Sequence, residues 1–83
     1  MSATSEIVLY TKQYDCAPCI EAKNFLHANN VEFVEKDVGV RENLMELVKS
    51  YKLMTVPVLV VNSGETLLKG FDQAEYQKAL GIS

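Results

Sequence analysis

Tryptophan is missing from this chain of 83 residues, and cysteine, proline and histidine are scarce, at two, two and one. No apolar run approaches the ~20 residues that a helix needs to cross a bilayer, so no spanning segment and no membrane partner are expected. The opening Met1–Glu6 is polar and carries no basic residue. Ile7–Tyr10 is too short for the core of a secretion signal, and a soluble, cytoplasmic protein is the expectation. Positive charge is not in excess either: eight Lys and Arg stand against eleven Asp and Glu, a formal net charge of -3. Nucleic acid needs a clustered basic face and is excluded as the expected partner. No repeat, linker or low-complexity stretch divides the chain. Residues 1–83 therefore read as one domain with its core at about 6–82, expected to act as a monomer. A chain of this length buries about 63% of its unfolded surface, enough for one modest core.

What is present points to an α/β domain. Ile7–Tyr10 and Val58–Val61 are continuous apolar runs, as in strands covered on both faces. Val31–Val38 mixes apolar residues with Glu32, Glu35, Lys36 and Asp37, which suits a more exposed strand. Asn62–Glu65 is a turn signal, and Thr66–Lys69 is a short return strand, so the last two strands form a hairpin. Between the strands lie helical patterns. Cys19, Ala22 and Leu26 share one side of a segment over Cys16–Asn30, supported by Ile20 and Phe25. Leu44, Leu47, Val48 and Tyr51 form a stripe in the next segment. A third helix opens at Asp72, which has capping-box spacing to Glu75, and turns Tyr76, Ala79 and Leu80 inward. The order is βαβαββα. A short βαβ unit pairs strands one and two in parallel, the hairpin pairs three and four, and the apolar strands one and three must be interior. The four-stranded mixed sheet then has the order 2-1-3-4.

With so little cysteine, its placement is informative: Cys16 and Cys19 stand three positions apart. A structural disulfide closing so short a loop contributes only about 2 kcal/mol, against nearly 5 for a loop of about a hundred residues. Cytoplasmic chains also rarely keep such a bond oxidised. A closed zinc site needs four ligands, and the chain adds only His27 to the pair. A zinc or iron–sulfur site shared by two copies through Cys16 stays open as a further alternative. A redox dithiol is the favoured reading. The fold expectation places Cys16 just beyond the carboxyl end of strand one, at the amino terminus of the first helix, where a thiolate is stabilised. Lys12 favours that charge and Asp15 opposes it. His27 reads as a helix-end residue, and Met45 and Met54 as core fillers or contact residues.

Tyr10-Thr11-Lys12, Cys16-Ala17-Pro18-Cys19, Thr55-Val56-Pro57 and Gly70-Phe71-Asp72 follow one another in the order and spacing of the glutaredoxin motifs. From about Glu6 to Ile82 the chain resembles that family, which implies the thioredoxin fold. Asp15 before the first cysteine, and Gly70-Phe71 after the hairpin, resemble the NrdH-type redoxin branch. The resemblance implies a thiol–disulfide oxidoreductase with Cys16 as the exposed nucleophile and Cys19 as the buried resolving thiol. Thr55, Val56 and Pro57 would hold a cis peptide bond, leaving the Val56 backbone to pair with the substrate main chain. Lys12 and Asp72 would meet the charged groups of glutathione, while Tyr14, Gly70 and Phe71 would border the substrate. The implied partners are disulfide-containing proteins and an electron donor. A thioredoxin reductase is expected as donor ahead of glutathione, because an exposed ion pair contributes only about 0.2–1 kcal/mol whereas burying Phe71 on a protein contributes about 1.5–3. No bound cofactor is expected, and glutathione enters as a co-substrate in the alternative of a glutathione-dependent glutaredoxin.

Overall fold

The computed structural model describes residues 6–82. The elements β1 (Ile7–Thr11), α1 (Ala17–Ala28), β2 (Val34–Asp37), α2 (Arg41–Tyr51), β3 (Val58–Val61), β4 (Thr66–Lys69) and α3 (Gln73–Leu80) follow in that order, with a 3-10 turn at Asn62–Gly64. The sheet runs β2-β1-β3-β4. β1 is parallel to β2 and antiparallel to β3, and β3 is antiparallel to β4. Both the element order and the sheet order agree with the expectation from sequence.

β3 is apolar throughout, and β1 is apolar up to Thr11, because both of their faces are covered. Ile7, Leu9, Leu59 and Val61 pack with Ala22 and Leu26 of α1 and with Tyr76 of α3. The alternate positions Tyr10, Val58 and Val60 pack with Leu47 of α2. The side-chain period of two thus sends consecutive residues into two different cores. Leu9, Leu26, Leu47 and Leu59 are all 0% exposed, and each such burial is worth about 1.5–3 kcal/mol.

Two charged contacts tie the helices to the edge strand beside the end of β1. Thr11 donates its hydroxyl to Glu35 at 2.7 Å, and Lys23 of α1 lies 3.2 Å from the same carboxylate. On the other face, Tyr10 and Lys36 both donate to Glu46 of α2, at 2.5 and 2.6 Å. Burial, and then the neighbouring Glu46, push the Tyr10 phenol above its ordinary pKa. The Lys36 and Tyr10 hydrogen bonds hold Glu46 below the usual carboxylate value.

The second strand is shorter than expected, because Val31–Phe33 is not strand. Asn30 takes a φ of 56°, its N–H reaches His27 O at 3.1 Å, and the Val31 N–H reaches Leu26 O at 2.9 Å. These are the paired bonds that close a helix through a left-handed residue, so Val31 still serves the last carbonyls of α1. Ile20 also departs from expectation: it is 56% exposed. It lies one residue, or about 100°, around the helix from the Cys19–Ala22–Leu26 stripe. In the β3–β4 turn, Asn62, Ser63 and Gly64 have φ of 53°, 59° and 112°. A Cβ on Gly64 would stand 3.1 Å from Tyr51 Cε1, so glycine lets the α2 aromatic pack against the turn.

Candidate active site

Strand register assembles the candidate site. Tyr10 pairs with Val58, and Val58 with Lys69. The segments leaving β1, entering β3 and leaving β4 therefore meet at one end of the sheet. They carry Lys12–Cys16, Thr55–Pro57 and Gly70–Asp72, and with them all the site residues expected from sequence except Cys19, which lies in the first turn of α1.

Cys16 is the N-cap of α1, with an extended φ of -137°. Its Sγ accepts the Cys19 N–H at 3.2 Å, which satisfies one of the free donors of the helix start. Pro18 lies in that first turn, where its missing N–H leaves no intrahelical bond unmade. Cys16 and Cys19 are joined as a disulfide with their Cα atoms 5.3 Å apart. The two sulfurs differ in access: Cys16 is half-buried, whereas Cys19 is 1% exposed on the buried side of α1. A thiol reagent from solvent meets Cys16.

The peptide bond from Val56 to Pro57 is cis. Pro57 is fully buried, and its carbonyl accepts the Gly70 N–H at 2.7 Å, which fastens the entry of β3 to the exit of β4. Among the described residues, the backbones of Thr55 and Val56 make no hydrogen bond. Val56 rests its side chain against the α2-side core; Thr55 is exposed.

Phe71 is half-buried. Its ring lies 4.9 Å from that of Tyr76 and 5.7 Å from that of Phe25. It therefore serves the α1–α3 core as well as bordering Gly70–Asp72. Tyr76 reaches through this cluster to donate its hydroxyl to Gly70 O at 3.0 Å. Burial raises its phenol pKa. Asp72 caps α3, its carboxylate accepting the Glu75 N–H at 3.2 Å. Lys12 and Tyr14 are exposed beside Asp15, whose φ is 55°.

Three features of this end were not read from the sequence as parts of the site. The Tyr76 hydroxyl positions Gly70, although sequence marked Tyr76 only as inward-facing. Ile20 and Met54 are exposed, and among the described residues Met54, at 81%, together with Tyr14, at 79%, heads the exposed large apolar side chains. Both stand on the segments that lead to Cys16 and Pro57. Sequence left Met54 between a core filler and a contact residue, and its exposure removes the first of these. Among the described residues, no group of three or more His, Cys, Asp or Glu side chains is placed to hold a metal ion, and no helix is long and apolar enough to cross a membrane.

The glutaredoxin family model matches residues 7–65, a span that includes Cys16, Cys19 and Thr55–Pro57. Among solved structures, a mutant of the thioredoxin-like protein BC3987 is 33% identical, with a TM-score of 0.84 over 94% of this chain and 97% of that one. The glutaredoxin from Methanosarcina mazei has a TM-score of 0.77 at 22% identity, over 93% of this chain and 79% of its own. The glutaredoxin from Archaeoglobus fulgidus has a TM-score of 0.74 at 18% identity, over 92% and 86%. The last two likenesses carry the fold alone. No curated protein matches the chain. The fold is thioredoxin-like.

Proposed function

The chain belongs to the glutaredoxin family, and from that membership we propose a dithiol redoxin that works between two proteins, reducing disulfides on one and re-reduced by the other. It is a thiol–disulfide oxidoreductase. The observation that carries the assignment of roles is the unequal access of the bonded pair: Cys16 half-buried, Cys19 1% exposed. In the reduced protein, the Cys16 thiolate attacks a substrate disulfide, forms a mixed disulfide and releases one substrate thiolate. Cys19 then displaces the second, and the pair returns to the disulfide present in this structure. Two electrons from the donor, delivered by the same exchange in reverse, restore the dithiol.

The Cys19 N–H aimed at Cys16 Sγ supports the nucleophile. A backbone donor at that place bonds more strongly to a charged sulfur than to a neutral one, so it favours the thiolate. Asp15 offsets part of that gain. The unpaired Val56 backbone supplies a main-chain edge for an extended substrate segment.

Support for protein partners comes from what surrounds the dithiol. Tyr14 and Met54 offer apolar surface worth about 1.5–3 kcal/mol each when fully buried. The charges suited to glutathione are weaker, about 0.2–1 kcal/mol each, and the Asp72 carboxylate is already shared with the Glu75 N–H. NADPH oxidation with insulin as substrate, run in parallel through thioredoxin reductase and through glutathione with its reductase, tests the proposal. The reductase route is expected to be faster. A faster glutathione route that is lost on Asp72→Ala overturns the protein donor in favour of a glutathione-dependent glutaredoxin.

A further inference from the structure

Building on that reading, we propose that Met54 is an oxidative modification site. Hydroperoxides convert its thioether to the sulfoxide while Cys16 and Cys19 are joined, and the sulfoxide weakens docking of protein partners at the dithiol.

Among the described methionines, exposure singles out Met54. It is 81% exposed, whereas Met45 on α2 is half-buried. Met54 also leads directly into Thr55-Val56-Pro57 and, among the described residues, no hydrogen bond holds it or the backbone of its two successors. Oxidation there disturbs no packed neighbour that the fold depends on. Its effect falls on whatever binds at that end of the sheet.

The state of the dithiol decides whether the reaction occurs. In the dithiol form, the Cys16 thiolate attacks a hydroperoxide, takes one oxygen as sulfenic acid and releases the alcohol or water. Cys19 then expels water and closes the disulfide, so no oxygen stays on the protein. In the disulfide form present here, that outlet is closed, because neither sulfur is a thiolate. Among the described residues, the Met54 sulfur is then the exposed soft nucleophile. Its lone pair attacks the peroxide, an S–O bond forms as the O–O bond breaks, and the thioether is oxidised by two electrons while the hydroperoxide is reduced to alcohol or water. A flexible apolar side chain becomes a polar, chiral one. The redoxin is thus marked when its electron supply has failed and its dithiol stays oxidised.

The test uses one equivalent of hydrogen peroxide on the disulfide form and, separately, on the dithiol form, followed by peptide mass mapping. The disulfide form is expected to gain oxygen at Met54 ahead of Met45, and the dithiol form to end as the disulfide with Met54 intact. After re-reduction of the dithiol, the oxidised protein is expected to lose about five-fold in insulin reduction, with reduction of bis(2-hydroxyethyl) disulfide unchanged. In Met54→Leu, compared only with its own untreated rate, the peroxide-dependent loss is expected to vanish. Oxidation of Met45 first, oxidation of Met54 equally in both forms, undiminished insulin reduction, or the same loss in Met54→Leu overturns the proposal. Failure of the underlying functional reading is separate: the untreated protein would then reduce neither disulfide.

Discussion

At the sheet end away from the dithiol, the Asn62 N–H donates to Glu6 O at 2.8 Å, and Glu6 returns its own N–H to Asn62 Oδ1 at 3.1 Å. Asn62 Nδ2 donates to Glu65 at 2.9 Å, and the Ser63 hydroxyl donates to Glu6 at 3.0 Å. At the dithiol end, Lys12–Asp15 and Met54–Val56 make no hydrogen bond among the described residues. Polar groups already paired to each other have nothing left with which to recognise a ligand, whereas water-exposed unpaired groups lose little by waiting for one. The comparison assigns stability to the closed end and to the two cores, and reactivity to the open end. Variants that separate stability from turnover can break or sharpen that division.

The largest effect is expected at Cys16. Cys16→Ser should abolish disulfide reduction while unfolding in urea close to the reduced wild type, because only a short-loop bond worth about 2 kcal/mol separates the oxidised and reduced forms. Cys19→Ser should accumulate a mixed disulfide on Cys16, visible by intact-mass spectrometry. Equal trapping by Cys16→Ser would exchange the two roles.

Tyr76 comes next, and it tests the one segment where the two regions are joined. It is 0% exposed and touches both Phe25 and Phe71, so Tyr76→Ala should cost about 3–5 kcal/mol in urea unfolding. Tyr76→Phe removes only the bond to Gly70 O and should cost about 1–3 kcal/mol. If Gly70–Asp72 needs that tether to meet a partner, Tyr76→Phe also lowers insulin reduction. Unchanged turnover would leave Tyr76 a core residue alone.

Sheet order was legible because Ile7–Tyr10 of β1 and all of β3 are continuous apolar runs, which suit strands inside a sheet covered on both faces. The dithiol was legible from spacing, and its place at the end of β1 followed from the order of elements. Val31–Phe33 misled because its alternation resembles strand, while the bond from Val31 to Leu26 O belongs to the end of α1. Ile20 misled because one step around a helix changes its side, and the pattern of α1 left that choice open. The cis bond before Pro57 was expected only from family resemblance. The absence of hydrogen bonds around Met54 had no local signature at all, because it depends on which groups the rest of the fold leaves unpaired.

A smaller effect is expected at the closed end. Asn62→Ala removes both side-chain bonds and puts a Cβ-bearing residue without a polar side chain at a φ of 53°. A loss of about 1–3 kcal/mol is expected, with insulin reduction unchanged. Asn62→Gly relieves the backbone while still losing the bonds, and should lie between wild type and Asn62→Ala. A fall in turnover at preserved stability would break the division between the two ends.

The smallest effect belongs to the contact that fastens α2 beside the open end. Glu46→Gln keeps an acceptor for the Tyr10 hydroxyl and loses the charge that Lys36 bonds. The side chains of Lys36 and Glu46 are 30% and 41% exposed, so the pair is screened and the variant should lose only about 0.2–1 kcal/mol near neutrality. Its pH dependence is the sharper test. Lys36 first, and Tyr10 second, hold the Glu46 pKa below its ordinary value. The contribution of Glu46 is therefore present above the unfolded pKa of about 4.3 and fades as pH falls through the lower folded value. The urea midpoints of wild type and Glu46→Gln should converge in that acid range. The Tyr10 and Tyr76 phenols, raised chiefly by burial, behave in the opposite sense. Their contribution is complete below about pH 10 and declines as pH rises beyond it, because the unfolded phenols then ionise first. Stability of both proteins should fall on that alkaline limb. A gap between wild type and Glu46→Gln that stays constant into acid would show that the Lys36–Glu46 pair adds nothing to the folded state, leaving the Tyr10 hydroxyl and the apolar core to hold α2.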